Sequence, residues 1–415
     1  MKLGKYSMGI GDRFAHQGKA QLKAFIMAKE GGIEITPVWN KSNREHTIIH
    51  SEPAETRIAA DKAVQALKWQ GQYFVDADHI NIHNVDWFME SSDFFTLDVA
   101  DYIGKSATDE EIALFVEQNK KYIGQLEIPG IDIPFTITEA LLKKIGTKFV
   151  FAIKEAGRIY RHIESKKGKD NFITEVSMDE VNDPQTPVDM FFILSAIAAE
   201  NIPAQTIAPK FTGRFNKGVD YVGNLTQFEK EFEQDLLVID YAIKEFGLPD
   251  NLKLSIHSGS DKFSLYPKIK KLLNVYDKGV HLKTAGTTWL EEIIGLALAG
   301  GTALELVKNI YIKAFEHVDE LCKPYATVID IDTHKLPIPA DVKNWSGDKF
   351  ANSLQHIQEH PDFNPHLRQL IHVGYKIAAE YSNVYLNELV KNEDIVGAQV
   401  TENIYKRHIS RLFNV

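Results

Sequence analysis

The sequence predicts a (β/α)8 barrel of the TIM type, carrying a helical insertion and a mostly helical C-terminal extension. Over the first 300 residues, eight short β-like runs alternate with amphipathic helical stretches. Strands alternating with helices mean parallel βα units. Eight such units in about this length is the count and size of a closed barrel. From about residue 301 the strand beat stops, which separates the tail from the barrel. A doubly wound open sheet is the alternative if the count is wrong by one.

The first strand is "YSMGIG" (6–11), followed by the helical pattern "GKAQLKAFIMAKEGG" (18–32). "IEITPVW" (33–39) precedes "TRIAADKAVQALKWQG" (56–71), and "YFVDAD" (73–78) and "FFTLDVA" (94–100) give strands three and four. Residues 104–170 are too long for a plain crossover and read as a helical excursion. Then come "NFITEVS" (171–177), "AQTIAP" (204–209), "LKLSIHS" (252–258) and "GVHLKTA" (279–285). "QFEKEFEQDLLVIDYAIKEFG" (227–247) and "TWLEEIIGLALAG" (288–300) supply late helices, and several helices end in glycine, a common C-terminal signal. Residues 1–300 thus form the barrel, with its insertion at 104–170, and 301–415 the extension. Only "ATVIDID" (326–332) and "HKLPIPADV" (334–342) break the helical reading of that tail.

Composition narrows the function. The chain is 44% hydrophobic and 25% charged, ordinary for a globular protein. A net charge of −10 without a basic stripe argues against nucleic acid as a partner. The apolar stretch "MFFILSAIAA" (190–199) is too short to span a bilayer, which argues against a membrane protein. The first residues, "MKLGKYSMGIGDRF", lack the apolar segment of a signal peptide, and the single cysteine, Cys322, suits a reducing compartment. The expectation is a cytoplasmic enzyme with a small-molecule partner; the oligomeric state is left open.

In a barrel strand alternate residues point inward, and chemistry gathers at the C-terminal ends. Parity sends Leu254 and Ile256 outward and His257 into the mouth; likewise Leu282 outward, His281 and Lys283 inward. Val75 and Ala77 face out, leaving Asp76 and Asp78 inward, while Asp98, Glu175 and Lys210 fall near their strand ends. Glu175, His257 and His281 form a His/carboxylate set of the kind that holds a divalent transition metal. Asp76, Asp78 and His79 complete the sphere or act as acid and base beside it. The plainer alternative has Asp76 and Asp98 capping or pairing inside the barrel and Lys283 paired with an acid; His83 is read as a loop residue, not a ligand.

Gly286, Thr287 and Thr288, in "TAGTTWLEE" (284–292), open a helix and offer an anion site; simple helix capping is the competing view. "GIGDRFAHQG" (9–18) has Phe14 where a dinucleotide fingerprint needs its third glycine, so Arg13 is better read as a carboxylate clamp. "KFTGRFNKGVDYVG" (210–223) brings Lys210, Arg214 and Lys217 on a loop long enough for a lid, with a solvated loop as the default. His356 and His360 are i, i+4 but lack H-E-x-x-H and are expected at the surface.

The stretches "GIGDRFAHQGKAQ", "FVDADHIN", "NFITEVSMDE", "APKFTGRFNKGVDYVG", "SIHSGSDKF" and "HLKTAGTTWLE" together resemble the tagaturonate epimerase family, which interconverts D-tagaturonate and D-fructuronate. The resemblance implies a metal-dependent barrel enzyme of hexuronate catabolism. Its divalent ion (Zn, Mn, Ni or Co) would sit on Glu175, His257 and His281. Inversion at C4 of a 2-ketose is not α to the carbonyl, so retro-aldol cleavage and re-addition is the expected route. Asp78 and Lys210 are the candidates for acid and base, with Asp261 of "SGSDKF" in reserve. Arg13, His79, Arg214, Lys283, Gly286, Thr287 and Thr288 would bind the hexuronate. Two rivals remain: a related ketose epimerase or a Schiff-base aldolase using Lys210, and a non-catalytic sugar-acid-binding protein.

Overall fold

The computed structural model describes residues 1–105, 107–284 and 286–413. Eight parallel strands close into a barrel: β1 (Tyr6–Gly11), β2 (Ile35–Ser42), β3 (Phe74–Ile80), β4 (Phe94–Asp98), β5 (Ile173–Ser177), β6 (Thr206–Ala208), β7 (Lys253–Ile256) and β8 (Val280–Lys283). Each pairs with its chain neighbours, and Tyr6 of β1 lies opposite Val280 of β8 to complete the ring. All eight overlap the runs read from sequence, with β2 continuing to Ser42 and β3 to Ile80. The eighth run reaches Ala285, which lies outside the described residues.

Alternation sorts the side chains into two compartments. Outward residues such as Val75, Leu97, Val176, Leu254 and Leu282 join the large apolar layer beneath the surrounding helices. Inward, Val38, Phe74, Phe94 and Ile173 pack with Leu3 into a small separate cluster that seals the floor. Above it the interior turns polar, through Ser7, Thr96, Glu175, Thr206, Ser255 and His281, all fully buried. Unpaired polar groups at that depth are costly, so this layer is built to serve the mouth above it.

The insertion is not purely helical. Between the helices Asp109–Asn119 and Glu139–Lys167 lies an antiparallel hairpin, Gly124–Leu126 against Phe135–Ile137. Three-residue strands are too short to show a period of two, which is why the sequence reads as helix alone.

The extension is mostly helical and shares the barrel's apolar layer, contributing Ile310, Leu370 and Val396 among others. Helix Thr287–Ala299 packs so closely on Glu393–Glu402 that a Cβ at Gly295 would stand 2.7 Å from the Val396 Cα. Residues 326–332 form no strand; their main chain crosses the mouth, where Val328 O accepts from the Lys217 N–H at 2.8 Å. The loop after β6 is pinned. Lys262 Nζ donates to the carbonyls of Asn216 (2.8 Å), Val219 (2.7 Å) and Ser260 (3.0 Å). His356, expected at the surface, is instead buried with its Nδ1 3.2 Å from Asp261 Oδ1, and the segment holding His360 is not helical. Among the described residues no helix is long and apolar enough to cross a membrane.

Candidate active site

The centre of the mouth is one cation among three acids. Lys283, ending β8, donates from Nζ to Asp76 Oδ2 at 2.8 Å, Asp78 Oδ1 at 2.7 Å and Thr96 Oγ1 at 2.6 Å, and lies 3.0 Å from Glu175 Oε1. Burial opposes the ammonium, yet Asp76, Asp78 and Glu175 hold it well above its ordinary range. Burial likewise opposes Asp78 and Glu175, but Lys283 and nearby histidines keep both carboxylates low and ionised. Asp76 is pushed up to about 7, because burial and the two neighbouring acids outweigh Lys283 there.

A second layer stands on this one. His257, one residue past β7, has Nε2 2.7 Å from Glu175 Oε1 and Nδ1 3.0 Å from Asp179 Oδ1. Asp179 follows β5 and also accepts from Ser177 Oγ at 2.7 Å. His79 has Nδ1 3.1 Å from Asp98 Oδ2, and its ring centroid lies 5.2 Å from that of His257. Strict alternation would send His79 outward with Ala77. A left-handed backbone at His79 (φ 51°) and a register slip between Ala77 and Ile80 turn it into the mouth instead.

His79, Asp179 and His257 each bring a ligand atom within 4.8 Å of the others. Two imidazoles and a carboxylate suit a divalent transition metal with open positions. Each histidine also has its other nitrogen on a carboxylate, Asp98 for His79 and Glu175 for His257, an arrangement that fixes ring orientation in metal sites. The donor set therefore fits a metal.

The expected ligand set is only partly brought together. Glu175 and His257 touch, but His281 sits in the layer below, with Nδ1 2.9 Å from Ser7 Oγ and its ring 5.4 Å from that of Phe94. Burial drives its pKa down to about 3, so it is neutral there. The cavity over the cluster, about 280 Å³, is lined by Arg13, Asp78, His79, His257 and Lys283 of the expected residues. Lys210 and Asp261 do not line it. Lys210 is half-buried, with its N–H on Gln185 Oε1 at 2.6 Å. Asp261 is fully buried against Arg368 Nη2, at 3.0 Å. Arg214 pairs with Asp330 at the surface.

Arg13 lines the cavity with its fork already engaged: Nε is 3.0 Å from Glu45 Oε1, Nη1 donates to His372 O at 2.9 Å, and Cζ lies 3.9 Å from the Tyr375 ring centroid. Gly286 adopts φ 88° before helix Thr287–Ala299, where a Cβ would run into the His372 ring. Thr288 Oγ1 accepts from Gln21 Nε2 at 2.9 Å, while the buried Thr287 Oγ1 has no partner among the described residues. Sequence parity missed Asp179, which stands beyond its strand, although the acids of "SMDE" directly after β5 were the available signal. A larger groove of about 580 Å³ lies at the barrel floor, but it opens on the end opposite this chemistry.

A family model described as tagaturonate epimerase matches residues 1–412. The tagaturonate/fructuronate epimerase of Thermotoga maritima is 28% identical over 98% of this chain and 80% of its own length. Two crystal structures of fructuronate-tagaturonate epimerase UxaE from Cohnella laeviribosi share the fold. The glycerol complex has a TM-score of 0.82 at 24% identity, and the native form 0.79 at 23%; each match covers 99% of this chain and 82% of the other. With the whole barrel and nearly all of its extension matched, the chain belongs to the tagaturonate epimerase family, and it is an isomerase-class enzyme.

Proposed function

We propose that this enzyme interconverts D-tagaturonate and D-fructuronate by retro-aldol cleavage and re-addition, with a divalent metal on His79, Asp179 and His257. The observation that carries the proposal is the convergence of those three donors above an ionised Asp78–Lys283 pair. The activity named for the Thermotoga relative supports the substrate.

Counting from the hydroxymethyl end, the ketone is C2 and the inverted centre is C4. Removing the C4 hydrogen would leave a carbanion the carbonyl cannot stabilise. Breaking C3–C4 instead leaves an enediolate over C1–C3 and an aldehyde over C4–C6 that keeps the carboxylate. The metal, when bound, supplies Lewis-acid stabilisation of the charge gathering on the C2 and C3 oxygens.

Asp78 takes the C4 hydroxyl proton as C3–C4 breaks. It lines the cavity, and Lys283 at 2.7 Å keeps it ionised and able to accept. After the aldehyde turns its other face to C3, Asp78 returns the proton to the new C4 oxygen. Lys283 holds its charge throughout, since three acids surround it. Glu175 orients His257 rather than joining the ligand set, and Asp98 does the same for His79.

Turnover in D2O, followed by NMR, tests this route. Conversion with the C4 hydrogen fully retained is expected; deuterium at C4 would contradict it.

A further inference from the structure

Two cations of the mouth have no part in the chemistry above. Arg44 belongs to the short helix Asn43–Ile49 after β2, and Lys217 to the loop after β6. Both line the cavity that holds His79, Asp179 and His257. Both also lie against one aromatic ring from the extension: Arg44 Cζ is 5.5 Å and Lys217 Nζ 6.0 Å from the Tyr325 centroid. Three separate stretches of chain thus meet at one point on the rim.

The meeting is held firmly. The Lys217 N–H is bonded to Val328 O, and Asn216 and Val219 carbonyls are bonded to Lys262. Gly218 O accepts from Arg368 Nε at 2.6 Å. The Tyr325 and Tyr375 hydroxyls are 2.8 Å apart. Yet no carboxylate pairs with Lys217 Nζ among the described residues, and Arg44 reaches Glu180 only at 3.4 Å. Arg13 and Lys283, the other cations of the cavity, are committed to Glu45 and to the three acids. A rigid backbone presenting Lys217 without a carboxylate partner among the described residues, beside an Arg44 whose only carboxylate contact is a long one to Glu180, is a preorganised anion seat.

We propose that Arg44 and Lys217, set against Tyr325, seat the substrate carboxylate; this rests on the retro-aldol reading. After C3–C4 breaks, the carboxylate belongs to the aldehyde fragment, which has no bond to the enediolate half. That fragment must stay in the cavity and still turn its aldehyde face. A clamp at the far carboxylate permits rotation about C4–C5 while preventing escape. A guanidinium offers a planar fork and an ammonium a point charge, so together they select an anion over a neutral ketose.

The test titrates the full chain calorimetrically with the equilibrated uronates and, separately, with D-tagatose, their neutral counterpart. K217Q and R44Q should each weaken uronate binding about tenfold and leave D-tagatose binding nearly unmoved, with K217R restoring much of the loss. In turnover the same variants should release more free three-carbon fragments per inversion. Both variants keeping the wild-type preference for the uronates, with no added fragment release, would overturn the seat. Preference lost in the variants, with a wild type that inverts neither uronate, would keep the seat and remove the epimerase reading.

Discussion

His257 Nε2 stands 2.7 Å from Glu175 Oε1, so the buried glutamate decides that Nδ1 of His257 faces Asp179. Removing that charge while keeping the shape should leave the imidazole free to turn. E175Q should weaken divalent-metal affinity by about 10- to 100-fold, the usual cost of losing an orienting carboxylate. Chelator competition measures it, and unchanged affinity would make Glu175 a bystander.

Without metal, both histidines of the cluster hold protons. Burial opposes their charge, but Asp78 and Asp98 keep His79 well above its ordinary range, and Asp179 and Glu175 help bring His257 to about 9. A metal ion must displace those protons. Its affinity should therefore climb as pH rises towards 9, where His257 gives up its proton, by about tenfold per pH unit for each proton released. Competition titrations at three pH values check this, and a flat profile would contradict it.

Lys283 neutralises three buried carboxylates at once. K283M leaves them uncompensated and should cost about 3–5 kcal/mol of stability at pH 7. Asp78 and Glu175 have depressed folded pKa values, so Lys283 stabilises the native state above their unfolded pKa values, and that contribution fades as pH falls through the folded ones. In the variant the three acids take up protons more readily. The gap to wild type in urea unfolding should then shrink as the pH is lowered from 7 towards 4.

Arg368 joins the extension to the barrel through Asp261 Oδ1 (3.0 Å) and Gly218 O (2.6 Å), also donates to Leu354 O within the extension, and has a fully buried side chain. R368M should cost about 3–5 kcal/mol, because it removes the arginine paired with buried Asp261 and leaves that carboxylate only His356, at 3.2 Å. Amide exchange should also quicken across residues 216–219, where the loop loses a tether. Protection there equal to wild type would show that Lys262 and the Val328 carbonyl suffice to hold the loop.

The barrel was legible because eight runs of alternating or apolar residues each needed a helix to cover them, and a count of eight βα units favours a closed sheet over an open one. Parity also placed His257 and Lys283 inside, since nothing bends β7 or β8 before them, and Asp76 and Asp78, which precede the left-handed His79 on β3. It could not place His79, whose orientation depends on a left-handed residue and a register slip. Nor could it rank depth: His281 and His257 share inward parity, yet they sit in different layers because β7 and β8 are staggered, with Ser255 opposite His281. Tyr325 reaches the mouth by tertiary packing alone, and no local pattern in "KPYATV" announces that contact.

The most direct test strips the protein with a chelator and follows D-tagaturonate by NMR, with and without restored divalent metal. Conversion to D-fructuronate only after metal is returned is the predicted result, with H257A and H79A inactive in both tubes. Full conversion by the stripped protein would contradict the His79–Asp179–His257 centre and move the chemistry to Asp78 and Lys283 alone.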